Sequence, residues 1–218
     1  YAQLGKVCIE SFLFFNPKCK VIIHHDNQTE VALKKLLSRY LKTGTAKLLA
    51  VNEVQNSWQE NKLDVIFNLK EKNEFFMDAD LRWNGPLPKL SELTMFVKEF
   101  TFGERAPYPR LAAGIKSKFI TNETSMKNTS FFYWGSYRPD AKDAIFVQEI
   151  LRNIGEVCIN QKFTQSETNS LTRISEQIAL SVLVETLNIK ISYLKMSDGL
   201  KDGAFVESSY FGATGSSF

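Results

Sequence analysis

Asp78 and Asp80 stand one residue apart in the stretch EFFMDADLRWNG, immediately after an apolar run. Two carboxylates this close repel each other and lose hydration if buried, so a fold keeps them together when they are solvated or share a cation. On a tight turn they offer hard oxygen ligands suited to Mg²⁺ or Mn²⁺, cations that keep waters and take substrate phosphates as further ligands. A lone Asp-x-Asp is a short motif that solvated turns also contain. Its position after Phe75-Phe76-Met77, where a strand should end, is what favours the cation.

The elements that must position this pair follow from the periodicity upstream. Leu4, Val7, Cys8, Phe12 and Phe15 keep helical spacing until Asn16-Pro17, and CKVIIHHD then reads as a strand. Thr29 is the expected cap of a helix marked by Leu33, Leu36, Leu37, Tyr40 and Leu41 and ended by Gly44, after which AKLLAV reads as a second strand. Leu63, Ile66 and Leu69 mark a third helix, and EFFMDAD a third strand. Alternating helices and strands predict an α/β fold with a mostly parallel sheet and crossover helices. In such sheets ligands bind beyond the carboxyl ends of the strands, and Asp26, Asp78 and Asp80 all fall at such ends.

Beyond Gly85-Pro86 the pattern changes. TMFVKEFTF and SFFYWGSY are aromatic-rich strand candidates, separated by the loop-like APYPRLAAGIKSKFITNETSMKNT. Two helices follow, one marked by Val147, Ile150, Leu151 and Ile154 and the other by Ile174, Ile178 and Val182, before a strand in KISYLKM and a small-residue tail. This half is expected to be a mixed region. No internal repeat or low-complexity tract interrupts it.

Composition narrows the partners. The chain has 218 residues, 44% of them hydrophobic and 23% charged, enough for one sizeable α/β domain. A net charge of +3, without a dense basic block interleaved with aromatics, argues against nucleic acid. Cys8, Cys19 and Cys158 form no CxxC pair and have only His24 and His25 as other soft ligands, which supports neither a disulfide framework nor structural zinc and suits a reducing cytoplasm. No apolar segment reaches the roughly 18 to 20 residues of a membrane span. Membrane association is expected only through segments outside this chain, which reads as cut at both ends. The Asn-x-Ser/Thr triplets at Asn27, Asn122 and Asn128 are taken as chance.

The opening stretch YAQLGKVCIESFLFFNPKCKVIIHHDNQTE, with the later Asp-x-Asp, resembles glycosyltransferases of the GT-A fold with a family-2-like opening. The resemblance is continuous over roughly 1–88 and general afterwards. It implies a single GT-A-like (Rossmann-like) catalytic domain over 1–218, truncated at both ends. Residues 1–88 would be the nucleotide-sugar-binding half and 89–218 the acceptor-side half. It also places the family's first strand upstream of Tyr1, and a late histidine ligand found in many members has no counterpart after His25.

What the resemblance implies is transfer of a sugar from a nucleotide-diphosphate donor to a hydroxyl acceptor, on a glycan, a lipid-linked carrier or another molecule. Asp78 and Asp80 would hold Mn²⁺ or Mg²⁺ on the diphosphate. Asp26, with His25 where the family often has an acid, would contact base or ribose, the alternative for Asp26 being an Asx-type cap. Arg82 would face phosphate or pair with Asp80, and Trp83, like Trp134, would stack on a sugar or belong to the core. An inverting enzyme needs one more carboxylate as base, for which Glu123, Asp140, Glu176 and Glu207 are the candidates. Glu176 sits in RISEQIALSVL, which is similar to an acidic-Gln pair of several glycosyltransferases, although an acid early in a helix is favoured by the macrodipole alone. A retaining course without a protein base stays open. The alternatives are a haloacid-dehalogenase-like phosphohydrolase and a non-catalytic nucleotide-sugar-binding or assembly module.

Overall fold

The computed structural model describes residues 2–51, 57–69, 71–115, 120–194 and 206–208. The chain is α/β and divides into two compact units. Unit 1 comprises Tyr1–Ser57, Met77–Lys89 and Leu194–Phe218; unit 2 comprises Trp58–Phe76 and Leu90–Tyr193.

In unit 1, α1 (Ala2–Phe15) buries Gly5, Cys8, Ile9, Phe12 and Leu13, one helical face at three- and four-residue spacing. It ends where Asn16 donates its side-chain amide to the Phe12 carbonyl at 2.9 Å, ahead of Pro17. β1 (Val21–His25) and β2 (Ala46–Ala50) pair in parallel, Val21 opposite Ala46 and His25 opposite Ala50. The helix expected between them is two short ones, α2 (Glu30–Leu36) and α3 (Ser38–Lys42), parted at Leu37. Gly44, at φ +70°, makes the turn into β2. β4 (Leu81–Trp83), for which no strand was expected, pairs antiparallel with β8 (Val206–Ser208) in the tail.

Unit 2 holds α4 (Trp58–Phe67), α5 (Tyr108–Gly114), α6 (Ala141–Asn160), α7 (Gln165–Arg173) and α8 (Ser175–Thr186). Its sheet, in the order β3-β6-β5-β7, is mixed: β5 (Leu93–Thr101) runs antiparallel to β6 (Ser125–Tyr133) and parallel to β7 (Ile191–Tyr193). β3 (Phe76–Met77) joins this sheet and not that of β1 and β2, which differs from the expected run of three parallel strands. Aromatic packing accounts for the choice, since Phe75 stacks on Phe131 of β6 at 5.0 Å between ring centres.

The aromatic strands expected after Gly85-Pro86 are β5 and β6, but β6 begins earlier than its aromatics, in the polar SMKNT. That polar half is buried because α8 supplies partners: Ser181 Oγ accepts the Lys127 N–H at 2.9 Å, and Glu185 accepts the Ser125 N–H and the Lys127 ammonium, each at 2.7 Å. α8 carries Ile178, Ala179, Leu180, Val182 and Val184 at full burial, each large aliphatic stabilising the fold by about 1.5–3 kcal/mol. α6 starts on a capping box in which Asp140 accepts the N–H groups of Lys142 and Asp143. Among the described residues no helix is long and apolar enough to cross a membrane.

Candidate functional site

The acidic pair occupies a turn in unit 1. The Leu81 N–H reaches the Asp78 carbonyl at 3.4 Å, so Asp78-Ala79-Asp80 reverses the chain between β3 and β4. Asp78 and Asp80 are half-buried and Ala79 is exposed. In β4 the side chains alternate, Leu81 and Trp83 buried and Arg82 exposed.

α1 passes against this segment and contacts it at successive turns of its buried face. A Cβ added to Gly5 would lie 3.9 Å from that of Ala79, ordinary contact distance. The Cys8 thiol donates to the Asp78 carbonyl at 3.5 Å. Ser11 Oγ donates to the Cys8 carbonyl and accepts the Trp83 N–H, both at 3.0 Å. Phe12 meets the Trp83 ring edge-on at 5.1 Å, and Asn16 Oδ1 accepts the Leu87 N–H at 2.9 Å. Among these groups the Asp78 carbonyl belongs to the turn and the Trp83 N–H to the short strand β4, so side chains of α1 hold the backbone at both ends of the segment.

The electrostatics of the turn register on Cys8. Burial, followed by the charges of Asp80 and Asp78, pushes its thiol up to about 12. Cys8 therefore stays a neutral donor beneath two anions, which is the form its bond to Asp78 needs.

Asp26 follows β1, in unit 1. Its Oδ1 accepts the Thr29 N–H at 2.6 Å, and bonding from Thr29 holds its carboxyl below the usual range. Thr29 itself makes no side-chain cap, so Asp26 starts α2 in the expected Asx manner. The buried His25 ring places Nδ1 2.8 Å from the Asp26 carbonyl.

The candidate bases scatter. Glu207 lies in β8 of unit 1, paired in register with Arg82, next to Ser208 opposite Leu81. In unit 2, Glu123 is exposed in the turn before β6, and Asp140 is exposed as the cap of α6. Glu176, 1% exposed, sits 3.5 Å from the Lys62 ammonium, which also lies over the Phe76 ring at 5.3 Å. Trp83 is 1% exposed against Phe12, and Trp134 is a core residue whose Nε1–H donates to the Ile66 carbonyl at 2.8 Å. Ser11, which the sequence did not single out, and Cys8 and Asn16, which it marked only as helix face and helix stop, make the side-chain hydrogen bonds to this segment. The three-residue spacing of Cys8 and Ser11 on α1 is the signal that could have found Ser11.

Among the described residues no cluster of three or more His, Cys, Asp or Glu side chains is placed to enclose a cation. Two adjacent carboxylates on a partly exposed turn suit a hard cation that completes its shell with water and ligand oxygens, whereas a fully protein-enclosed site would need more donors. In comparisons with protein-family models, curated proteins and solved structures, the chain matches none.

Proposed function

We propose that this chain is the catalytic part of a metal-dependent glycosyltransferase of GT-A-like architecture, acting on a nucleotide-diphosphate sugar. The observation that carries the reading is the Asp78-Ala79-Asp80 turn directly after β3, with two half-buried aspartates on a backbone braced by α1. Asp78 and Asp80 would hold the cation, Mn²⁺ or Mg²⁺. When bound, it would neutralise charge developing on a departing diphosphate. Arg82, exposed on β4 beside the pair, supplies a guanidinium for phosphate. Asp26, whose carboxylate caps α2, would in addition contact ribose or base.

Among the candidate bases, Glu207 is carried by the strand paired to β4 and so shares the unit of the acidic turn. Glu176 is the weakest candidate, because its carboxylate is buried against Lys62. The acceptor would be a hydroxyl of a glycan or a lipid-linked carrier.

Calorimetric titration of UDP and GDP, with and without Mn²⁺, tests this on the wild type and on Asp78→Ala/Asp80→Ala. Nucleotide binding that needs both the cation and the aspartates is the expected result. Binding that ignores both would favour a metal-free module, and no binding by the folded protein under any condition would sink the transferase assignment.

A further inference from the structure

We propose that Ser11 is a positioning residue for the acidic turn, and that α1 thereby sets the cation affinity of Asp78 and Asp80; this rests on the cation reading above. Ser11 and Cys8 are three residues apart, so they project from one face of a rigid helix as near neighbours. Cys8 bonds the carbonyl of Asp78, where the turn begins, and Ser11 bonds the N–H of Trp83, where β4 ends. Both aspartates lie between these two anchors.

The Ser11 hydroxyl is suited to the task because it works in both directions. Its proton goes to the Cys8 carbonyl, which fixes the rotamer and leaves a lone pair aimed at the Trp83 N–H. The Phe12–Trp83 ring contact adds an apolar lock beside the same bond. Two like charges held within one turn tend to spread apart, so a turn anchored at both ends keeps them gathered before the cation arrives. Groups that orient ligand-bearing elements typically change metal affinity by 10- to 100-fold when removed. A single backbone anchor should sit at the lower end, roughly tenfold.

The test measures Mn²⁺ binding, by the paramagnetic resonance of free Mn²⁺, for wild type, Asp78→Ala/Asp80→Ala, Ser11→Ala, Ser11→Thr and Leu33→Val. Leu33 is a buried residue of α2 and serves as a control for lost stability in the same unit. Amide hydrogen exchange at Trp83 is followed in the cation-free protein. The expected pattern is roughly tenfold weaker Mn²⁺ binding and faster Trp83 exchange in Ser11→Ala, near-wild-type values in Ser11→Thr, and no change in Leu33→Val.

Wild-type affinity in Ser11→Ala would overturn the positioning role while leaving the cation reading intact. Equal weakening in Ser11→Ala and Leu33→Val, or in Ser11→Ala and Ser11→Thr, would overturn it too. Indistinguishable titrations of wild type and the double aspartate variant would remove the cation reading, and the positioning role with it.

Discussion

The Cys8 thiol donates to the Asp78 carbonyl oxygen across 3.5 Å, placing a neutral sulfur donor under a turn that carries two carboxylates. The thiol is buried and faces the charges of Asp80 and Asp78, so its pKa rises from 9.0 to about 12. A thiol raised on folding contributes stability that is fully present below the unfolded value and is lost as pH climbs from about 9 toward 12. At pH 8, alkylation followed by peptide mapping should label the partly exposed Cys19 well before Cys8. Rapid labelling of Cys8 in the folded protein would contradict its burial.

Replacing both turn carboxylates by amides removes their repulsion. Without cation, Asp78→Asn/Asp80→Asn should unfold at the wild-type temperature or slightly above it. With Mn²⁺ at about 100 times its Kd, only the wild type should gain stability, about 2.7 kcal/mol. EDTA should reverse the gain. Equal Mn²⁺ shifts in both proteins would place the cation elsewhere.

Asp26 should behave as a helix cap whatever else it binds. Asp26→Ala should cost about 1 kcal/mol in urea unfolding at pH 7, while Asp26→Ser, which can still accept the Thr29 N–H, should cost less. The carboxylate's contribution is present above its unfolded pKa and is lost as pH falls through the depressed folded one, so the wild type's advantage over both variants should shrink in acid while the gap between Asp26→Ser and Asp26→Ala persists. A nucleotide-binding loss in Asp26→Ser at unchanged stability would separate the ligand contact from the cap.

Glu176 should prove structural. Glu176→Ala removes the carboxylate paired with the Lys62 ammonium, whose side chain is 7% exposed, and should destabilise the protein by about 3–5 kcal/mol. Lys62→Met/Glu176→Leu should recover most of that stability, because it removes both buried charges. If Glu176→Gln abolished sugar transfer at unchanged stability, Glu176 would return as a candidate base.

Gly135, at φ +67°, has no room for a side chain. A Cβ there would stand 2.6 Å from the Glu92 carbonyl carbon and the Leu93 nitrogen, backbone atoms that cannot swing aside. Gly135→Ala should lose at least about 2 kcal/mol in denaturant unfolding, through both the conformation and the clash. A loss under about 1 kcal/mol would mean that the chain at Glu92–Leu93 can shift.

Some of this protein was legible along the chain itself. The inward face of α1, the strands β1 and β2 and the long helix α6 follow from side-chain periodicity, a local property that burial of one face enforces. The Asx cap at Asp26 was readable for a similar reason, since its donor is only three residues away. Asp78 and Asp80 announced themselves through charge crowded after an apolar run.

Other features depended on partners distant in sequence. β4 and β8 are three residues each and exist by pairing with one another, and α5 lies in a stretch whose prolines and polar neighbours read as loop. The polar start of β6 is a buried strand only because α8, more than fifty residues later, satisfies its Lys127 N–H. Glu176 looks like an accessible acid until Lys62 is packed against it. Residue types and periodicity thus determined the strongly periodic elements and where the carboxylates cluster. Tertiary packing decided which strands pair, which charges are buried, and that α1 holds the acidic turn, because hydrogen bonds between residues seventy apart leave no periodic trace in the sequence.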